Sequence, residues 1–212
     1  MNCSYPVMGV FAVLAYLLGA IPNGFLIAKA KGIDIRTVGS GNIGATNVYR
    51  AVSKKLGLLT FALDAVKGAV PALLFPKLVT LLSGVATPAW LPLVFGGLAI
   101  VGHTWPVYLR FKGGKGVATS AGALIGIAPG AMGIGLLSWI LVLVTTRYMS
   151  TASIVGALAV PLSGWWLYRG QGIALPLTLT ALAVLIVWRH KGNIQRLMDG
   201  TENRFEFKKK SG

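Results

Sequence analysis

The chain has 212 residues, 55% hydrophobic and 12% charged, with 20 Lys and Arg against 5 Asp and Glu. A soluble domain carries about a quarter charged residues, so this composition excludes an ordinary soluble domain and describes a helical membrane protein. Period-two alternation is missing, which argues against a β-barrel. A net charge of +15 would suggest nucleic acid in a soluble protein. Here the basic residues sit between apolar segments, where topology explains them first and phosphate-bearing substrates or anionic lipid second. No nucleic-acid partner is expected. Cys3, the single cysteine, excludes an internal disulfide, and no His/Cys cluster has metal-binding spacing. No secretory n-region or cleavage site opens the chain, so the first apolar segment is expected to stay. The expectation is one all-α polytopic membrane domain over 1–212.

The first apolar segment runs from Val7 to Ile27, with Pro22, Asn23 and Gly24 loosening its end. A polar, basic loop from Lys29 to Lys55 follows. The second segment, Gly57 to Phe75, holds Asp64 and Lys67 one turn apart, expected to form an intramembrane ion pair. The third runs from Pro88 to Val107, and RFKGGKG follows at Arg110 to Gly116. One straight helix from Val117 to Thr146 would be about 45 Å long, against a hydrocarbon core of about 30 Å. Pro129-Gly130 near its middle predicts two short spans instead. Thr151 to Leu167 and Ile173 to Trp188 complete the set, flanking a turn at Arg169 to Gly172.

That gives seven transmembrane helices. The alternative is five, with 117–146 and 152–188 each one helix, but it buries Arg169 in mid-membrane at about 2.5–3.5 kcal/mol. With the N-terminus outside and the C-terminus cytoplasmic, both counts put the loops at 29–55 and 110–116 and the tail from 189 on the cytoplasmic face. Only Lys77 and Arg169 then face outward, as the positive-inside rule requires. Trp90, Trp105, Trp165, Trp166 and Trp188 fall near span ends, where interface anchors belong. Gly122, Gly126 and Gly130 recur every fourth residue, which reads as close helix packing.

Three polar stretches then share one face. In VGSGNIGATNVYR, Val38 to Arg50, the glycines Gly39, Gly41 and Gly44 allow amides to converge on an anion. Ser40, Asn42, Thr46 and Asn47 add neutral donors, and Arg50 a fork suited to phosphate. In GHTWPVYLRFKGGKGVAT, Lys112 and Lys115 flank Gly113-Gly114, and Gly116 precedes a helix whose first amides can face an anion. Leu109 and Gly116 stand where a Walker A loop needs Gly and Ser/Thr, so nucleotide hydrolysis is excluded. His103 is as readily a packed core histidine as a substrate contact. In RHKGNIQRLMDGTENRF, Arg189 to Phe205, His190 and Asn193 share a helix face if the helix continues. A bland reading, a basic stop after the last span, covers Lys208 to Lys210 well and His190 poorly. Ser150 and Ser153 are placed to cap the helix after Tyr148, and Ser153 is also a candidate site residue.

These groups suit more than one phosphate, and apolar walls suit a lipid chain. No carboxylate accompanies the loops as an obvious general base, and neither a nucleophile elbow nor an HX4D pattern is present. A phosphate transporter is the rival reading, but no internal repeat supports it. A non-catalytic scaffold for anionic lipid is a third.

SGNIGATN with Arg50, FKGGKG and RHKGNIQRL resemble, in order, the three motifs of the bacterial PlsY-type acyl-phosphate:glycerol-3-phosphate acyltransferases. GH-x-x-P at Gly102 to Pro106 and LD-x-x-KG at Leu63 to Gly68 resemble further family positions. Lys191-Gly192 is a small departure. The resemblance implies transfer of a fatty acyl group from acyl phosphate to the 1-hydroxyl of glycerol 3-phosphate. The products would be lysophosphatidic acid and phosphate, made in the bacterial inner membrane. It implies no metal or cofactor, a substrate phosphate as proton acceptor, and an acyl-phosphate-producing enzyme upstream. Carried onto this sequence, Ser40, Arg50, Lys115, His190 and Asn193 are the expected catalytic residues. Gly39, Gly41, Asn42, Gly44, Asn47, His103, Lys112, Gly113, Gly114, Gly116 and Ser153 are the expected substrate-binding ones.

Overall fold

The computed structural model describes residues 4–206, whose regular structure is entirely helical. Cys3 and the Lys208 to Lys210 run lie outside those residues. The chain divides into two compact units, one reaching to Ile127 and the other beginning at Ala128.

The N-terminal unit opens with α1 (Ser4–Ala20) and α2 (Asn23–Lys29), which meet at a 41° bend. Pro22 causes the break, because its ring removes a helical N–H and clashes with the preceding turn. After a folded loop come α3 (Ala45–Ala51) and α4 (Lys54–Leu73), whose start is capped by Ser53 accepting from the Leu56 N–H at 3.2 Å. Next are α5 (Phe75–Ser83), α6 (Leu91–Thr104) and α7 (Val117–Ile127). The second apolar segment thus runs on to Ser83 instead of ending at Phe75. Pro76 does not stop it, since it sits in the first turn of α5, where a missing N–H costs nothing.

Aromatic packing fills one core of this unit. The Phe75 ring meets Phe11 edge-on at 5.0 Å and Phe95 at 6.0 Å, over buried Ala15, Val79 and Leu91. A second core gathers Ala28, Ile35, Ile43 and Val48, so the basic loop after α2 is a folded structure and not a linker. Helices approach through small residues. A Cβ on Gly122 would strike the Ala65 carbonyl of α4, and one on Gly126 the Leu73 side chain. Gly130, the third of that series, falls beyond the break, and its N–H is bonded by the Tyr168 hydroxyl at 3.1 Å.

The C-terminal unit holds α8 (Pro129–Thr146), α9 (Met149–Leu167), α10 (Ala174–Arg189) and α11 (Lys191–Met198). Arg169 lies in an exposed 3₁₀ turn between α9 and α10. Both long helices that five spans require are therefore interrupted, one at Ala128 before Pro129 and the other between Tyr168 and Ile173. Helix α11 leaves α10 at 54°. Segment 199–206 then turns back through Gly200, φ +68°, and its Phe205 N–H reaches the Arg147 carbonyl at 2.6 Å.

Four helical stretches are long and apolar enough to cross a membrane, namely Lys54–Ser83, Leu91–Leu109, Pro129–Thr146 and Met149–Leu167. The two bent pairs, α1 with α2 and α10 with α11, raise the number to 6. Leu81, Leu137 and Leu162, among many large apolar side chains, face outward as a lipid-contacting surface requires. Among the described residues the chain is an all-α, multi-pass membrane protein.

Candidate active site

Asn47 is the centre of the first loop. It is buried on α3, and its amide nitrogen reaches the carbonyls of Ile35 and Val38 at 3.0 Å and of Asn42 at 2.9 Å. Its Oδ1 accepts the Ser40 N–H at 3.0 Å. One side chain thus closes the backbone from 35 to 42 into a ring. Gly39 (φ +58°) and Gly41 (φ +67°) take the left-handed conformation this path needs. A Cβ on Gly39 would also strike Asn47 Oδ1.

The glycine amides do not all converge on an anion. Gly41 N–H bonds the Val38 carbonyl at 3.0 Å and Gly44 N–H bonds Asn42 Oδ1 at 2.9 Å. The Ser40 amide is also turned inward, so three of the loop's amides are bonded within it. Ser40 is exposed between its two glycines, and Arg50 is exposed in the last turn of α3. Arg36 is engaged elsewhere, clamping Asp34 at 2.6 Å and stacking on Phe25 at 4.8 Å. That clamp holds the Asp34 carboxyl at about 2, so the loop's own carboxylate is no proton acceptor.

The second loop is built around His103. A turn at Val107–Leu109 leads into Arg110 (φ 51°) and Phe111 (φ 61°), two consecutive left-handed residues that are not glycine. Such strain at bulky side chains persists only where surrounding structure fixes it. The chain is thereby reversed, so that Gly113 and Gly114 lie against α6. Gly114 N–H donates to the His103 carbonyl at 3.1 Å. A Cβ on Gly113 would strike that carbonyl and Pro106, and one on Gly114 would strike the imidazole itself. The glycines are required for contact with His103. Gly116 (φ +81°) turns the chain into α7. Lys112 is exposed and Lys115 half-buried.

Beneath His103 lies a buried polar cluster. Asp64 and Lys67 pair at 2.9 Å, as their spacing predicts. Asn23 donates to Asp64 Oδ1 at 3.0 Å, and Lys67 Nζ also reaches the Ile21 carbonyl at 2.6 Å, capping the broken end of α1. His103 Nδ1 is 3.8 Å from the same Asp64 oxygen.

The third polar stretch belongs to the C-terminal unit. His190 sits at the joint of α10 and α11, buried, with Nδ1 2.7 Å from the Ile186 carbonyl. A carbonyl only accepts, so Nδ1 carries the proton and Nε2 is the basic nitrogen. Asn193 follows on α11, past the bend.

Glu202 is the functional group that sequence reasoning missed. Its Oε1 accepts from Ser150 at 2.8 Å and Asn193 at 2.7 Å, and its Oε2 from Arg196 at 2.8 Å. A carboxylate therefore does accompany the third motif, but both oxygens are occupied. Burial resists its charge, yet bonds from Asn193, Ser150 and Arg196 outweigh burial and hold the carboxyl below its ordinary range. The available signal was a Gly-stopped helix followed by one of only 5 acidic residues in the chain. The capping expectation for the two serines fails. Tyr148 is the N-cap residue and makes no side-chain cap bond. Ser150 turns to Glu202, and Ser153 Oγ donates to the Met149 carbonyl at 2.8 Å.

Among the described residues, no group of three or more His, Cys, Asp or Glu is placed to hold a metal. The family model for glycerol-3-phosphate acyltransferase matches residues 9–200. A glycerol-3-phosphate acyltransferase of Geobacter sulfurreducens is 44% identical over 197 residues, covering 93% of this chain and 97% of that one. One of Desulforudis audaxviator is 46% identical over 197 residues, 92% of this chain and 94% of its own. Crystal structures of PlsY (YgiH), an integral membrane glycerol 3-phosphate acyltransferase, have the same fold. The glycerol 3-phosphate form has TM-score 0.83 and 39% identity, covering 94% of this chain and 96% of that one. The lysophosphatidic acid form has TM-score 0.80 and 38% identity, covering 94% and 95%. On near full-length similarity of sequence and fold, this chain belongs to the glycerol-3-phosphate acyltransferase family.

Proposed function

We propose that this protein transfers a fatty acyl group from acyl phosphate to the 1-hydroxyl of glycerol 3-phosphate, releasing lysophosphatidic acid and phosphate. The observation that carries this reading is the near full-length match to a PlsY crystallised in glycerol 3-phosphate and lysophosphatidic acid forms. The chain acts as a single acyltransferase domain over 1–212 in the bacterial inner membrane. Its α7 crosses as well, making seven spans, with the N-terminus outside and the motif loops in the cytoplasm. An enzyme that makes acyl phosphate supplies the donor.

In the N-terminal unit, the Ser40 hydroxyl and the Asn42 side chain hold the donor phosphate, and Arg50 and Lys115 neutralise phosphate charge. Lys112 adds to the positive field. Gly39, Gly41 and Gly44 shape the first loop, while Gly113, Gly114 and Gly116 let the second approach closely. Asn47 and His103 hold these loops in place from behind. In the C-terminal unit, Ser153 has its proton on Met149, so its lone pairs accept a glycerol hydroxyl. His190 contacts the acceptor through Nε2. Asn193, aimed by Glu202, holds the acceptor beside it.

The acyl phosphate is already an activated mixed anhydride. The 1-hydroxyl attacks its carbonyl carbon, the bond from that carbon to the phosphate oxygen breaks, and a substrate phosphate takes the hydroxyl proton. Asp34 and Glu202, both held ionised by donors, are poor bases for that proton. Positioning and charge stabilisation are what remains for the protein to supply.

The test is purified protein in lipid or detergent, given palmitoyl phosphate and glycerol 3-phosphate. Equal amounts of lysophosphatidic acid and phosphate, dependent on glycerol 3-phosphate, are expected. A folded sample that yields no product, or phosphate alone, overturns the reading.

A further inference from the structure

The Asp64–Lys67 pair is buried, and its position relative to the second loop assigns it more than helix packing. We propose that Asp64 is a positioning residue for glycerol 3-phosphate binding, acting through the His103 ring on the Gly113-Gly114-Lys115 segment. The inference rests on the proposed role of Lys115 in neutralising phosphate charge, the phosphate being that of glycerol 3-phosphate.

The chain of contact is short. Asp64 is fixed from two sides, by Lys67 at 2.9 Å and Asn23 at 3.0 Å. Its Oδ1 faces His103 Nδ1 at 3.8 Å. The opposite edge of the imidazole, at Nε2, lies so close to Gly114 that no side chain fits between them. The His103 carbonyl holds the Gly114 amide, so ring and backbone of one residue fix the same glycine. Asp64, His103 and Gly114 are all buried. A buried ring wedged between a fixed carboxylate and a loop backbone transmits displacement, because packed interiors do not absorb it locally. Lys115 is the next residue, so a rotated ring moves its ammonium.

A pair kept only for stability would be an odd choice. Replacing both members by well-packed apolar groups of similar volume is often harmless in a protein interior, whereas removing one strands a buried charge. The double variant D64N/K67Q removes the carboxylate without stranding the ammonium. It is compared with H103N, with all three substitutions together, and with G114A. Each is assayed for KM against glycerol 3-phosphate and palmitoyl phosphate separately, on samples whose melting in detergent is recorded.

D64N/K67Q and H103N are each expected to raise KM for glycerol 3-phosphate about tenfold, with KM for palmitoyl phosphate within twofold of the parent. A tenfold change corresponds to about 1.4 kcal/mol of binding. Combining them should raise the acceptor KM no further, since both act through one ring. N23A leaves the ion pair intact and should raise the same KM two- to threefold, which keeps the idea testable if the double variant does not fold. Equal loss of both KM values, or independent multiplication in the combined variant, overturns the proposal. If G114A moves the acceptor KM and neither D64N/K67Q nor N23A does, the loop binds glycerol 3-phosphate and Asp64 does not position it. If G114A leaves that KM unchanged, the loop reading itself fails and takes this inference with it.

Discussion

Glu202 holds the third motif together. Three donors converge on one carboxylate, from α9, from α11 and from the last turn of α11, and one of them is Asn193. Its carboxyl lies below the ordinary 4.5 in the folded chain, so the folded state favours the anion. Stability from this group is therefore full above about 4.5 and disappears as pH falls through the lower folded value. Glu202→Gln keeps the shape and removes the charge. At pH 7 it should cost about 1–3 kcal/mol, since two neutral donors and Arg196 lose an ionised acceptor. Melting in detergent should fall by roughly 2–12 °C at that pH, and the gap between parent and variant should close as pH falls below about 4.5. A gap that stays constant across that range would show that charge is not what Glu202 contributes. The sequence put Asn193 and His190 on one helix face if the helix continued; it bends by 54° at His190 instead, which local spacing does not record. The sequence hid Glu202 because the contact with Ser150 joins positions 52 apart. Asn47 was legible as a polar group in a glycine loop, but its role of closing the loop depends on three carbonyl directions that no spacing records.

At the scale of helices, proline and glycine made most boundaries readable. Pro22, Pro129 and the Arg169-Gly170-Gln171-Gly172 turn each mark a real break. The end of the second segment was misjudged because Pro76 reads alike whether it ends a helix or starts one. Spacing also gave Gly122 and Gly126 as a packing pair, while Gly130 shared the period without sharing the partner. The contact of α7 with α4 supplies a direct test. Gly122 leaves no space over the Ala65 carbonyl, whereas a Cβ on Gly97 of α6 meets nothing within 4 Å. Gly122→Leu forces the helices apart and should cost about 3 kcal/mol or more, as overpacking does. Gly97→Ala should leave melting unchanged or slightly higher, since it adds helix propensity with no clash. Melting of both variants in the same detergent decides it. Equal behaviour would mean that α7 and α4 do not pack as closely as their backbones indicate.

For the whole molecule, the number and direction of crossings follow from charge as much as from helix length. Helix α7 has 11 residues, about 16 Å of rise, which is half the hydrocarbon thickness. It can cross only if the flanking Gly-Lys loop and the Ala128 break reach into the membrane beside it, where protein or water satisfies their backbone groups. The sequence reading has it cross in both the seven-span and the five-span count, although hydropathy counts apolar residues and not what covers a loop. Charge decides the expected answer. If α7 crosses and the N-terminus is outside, Lys77 and Arg169 face outward, while Lys55 and Lys191 face the cytoplasm. If α7 does not cross, everything after it inverts, putting Lys191 and the basic tail outside and Arg169 inside, against the positive-inside rule. All four positions are exposed, so each accepts a reporter. In a Cys3→Ser background, Lys77→Cys and Arg169→Cys should react with a membrane-impermeant maleimide on intact cells. Lys55→Cys and Lys191→Cys should react only after the membrane is opened. An exchange between positions 169 and 191, with 77 and 55 unchanged, would show that α7 stays on one side and that six crossings are the true number.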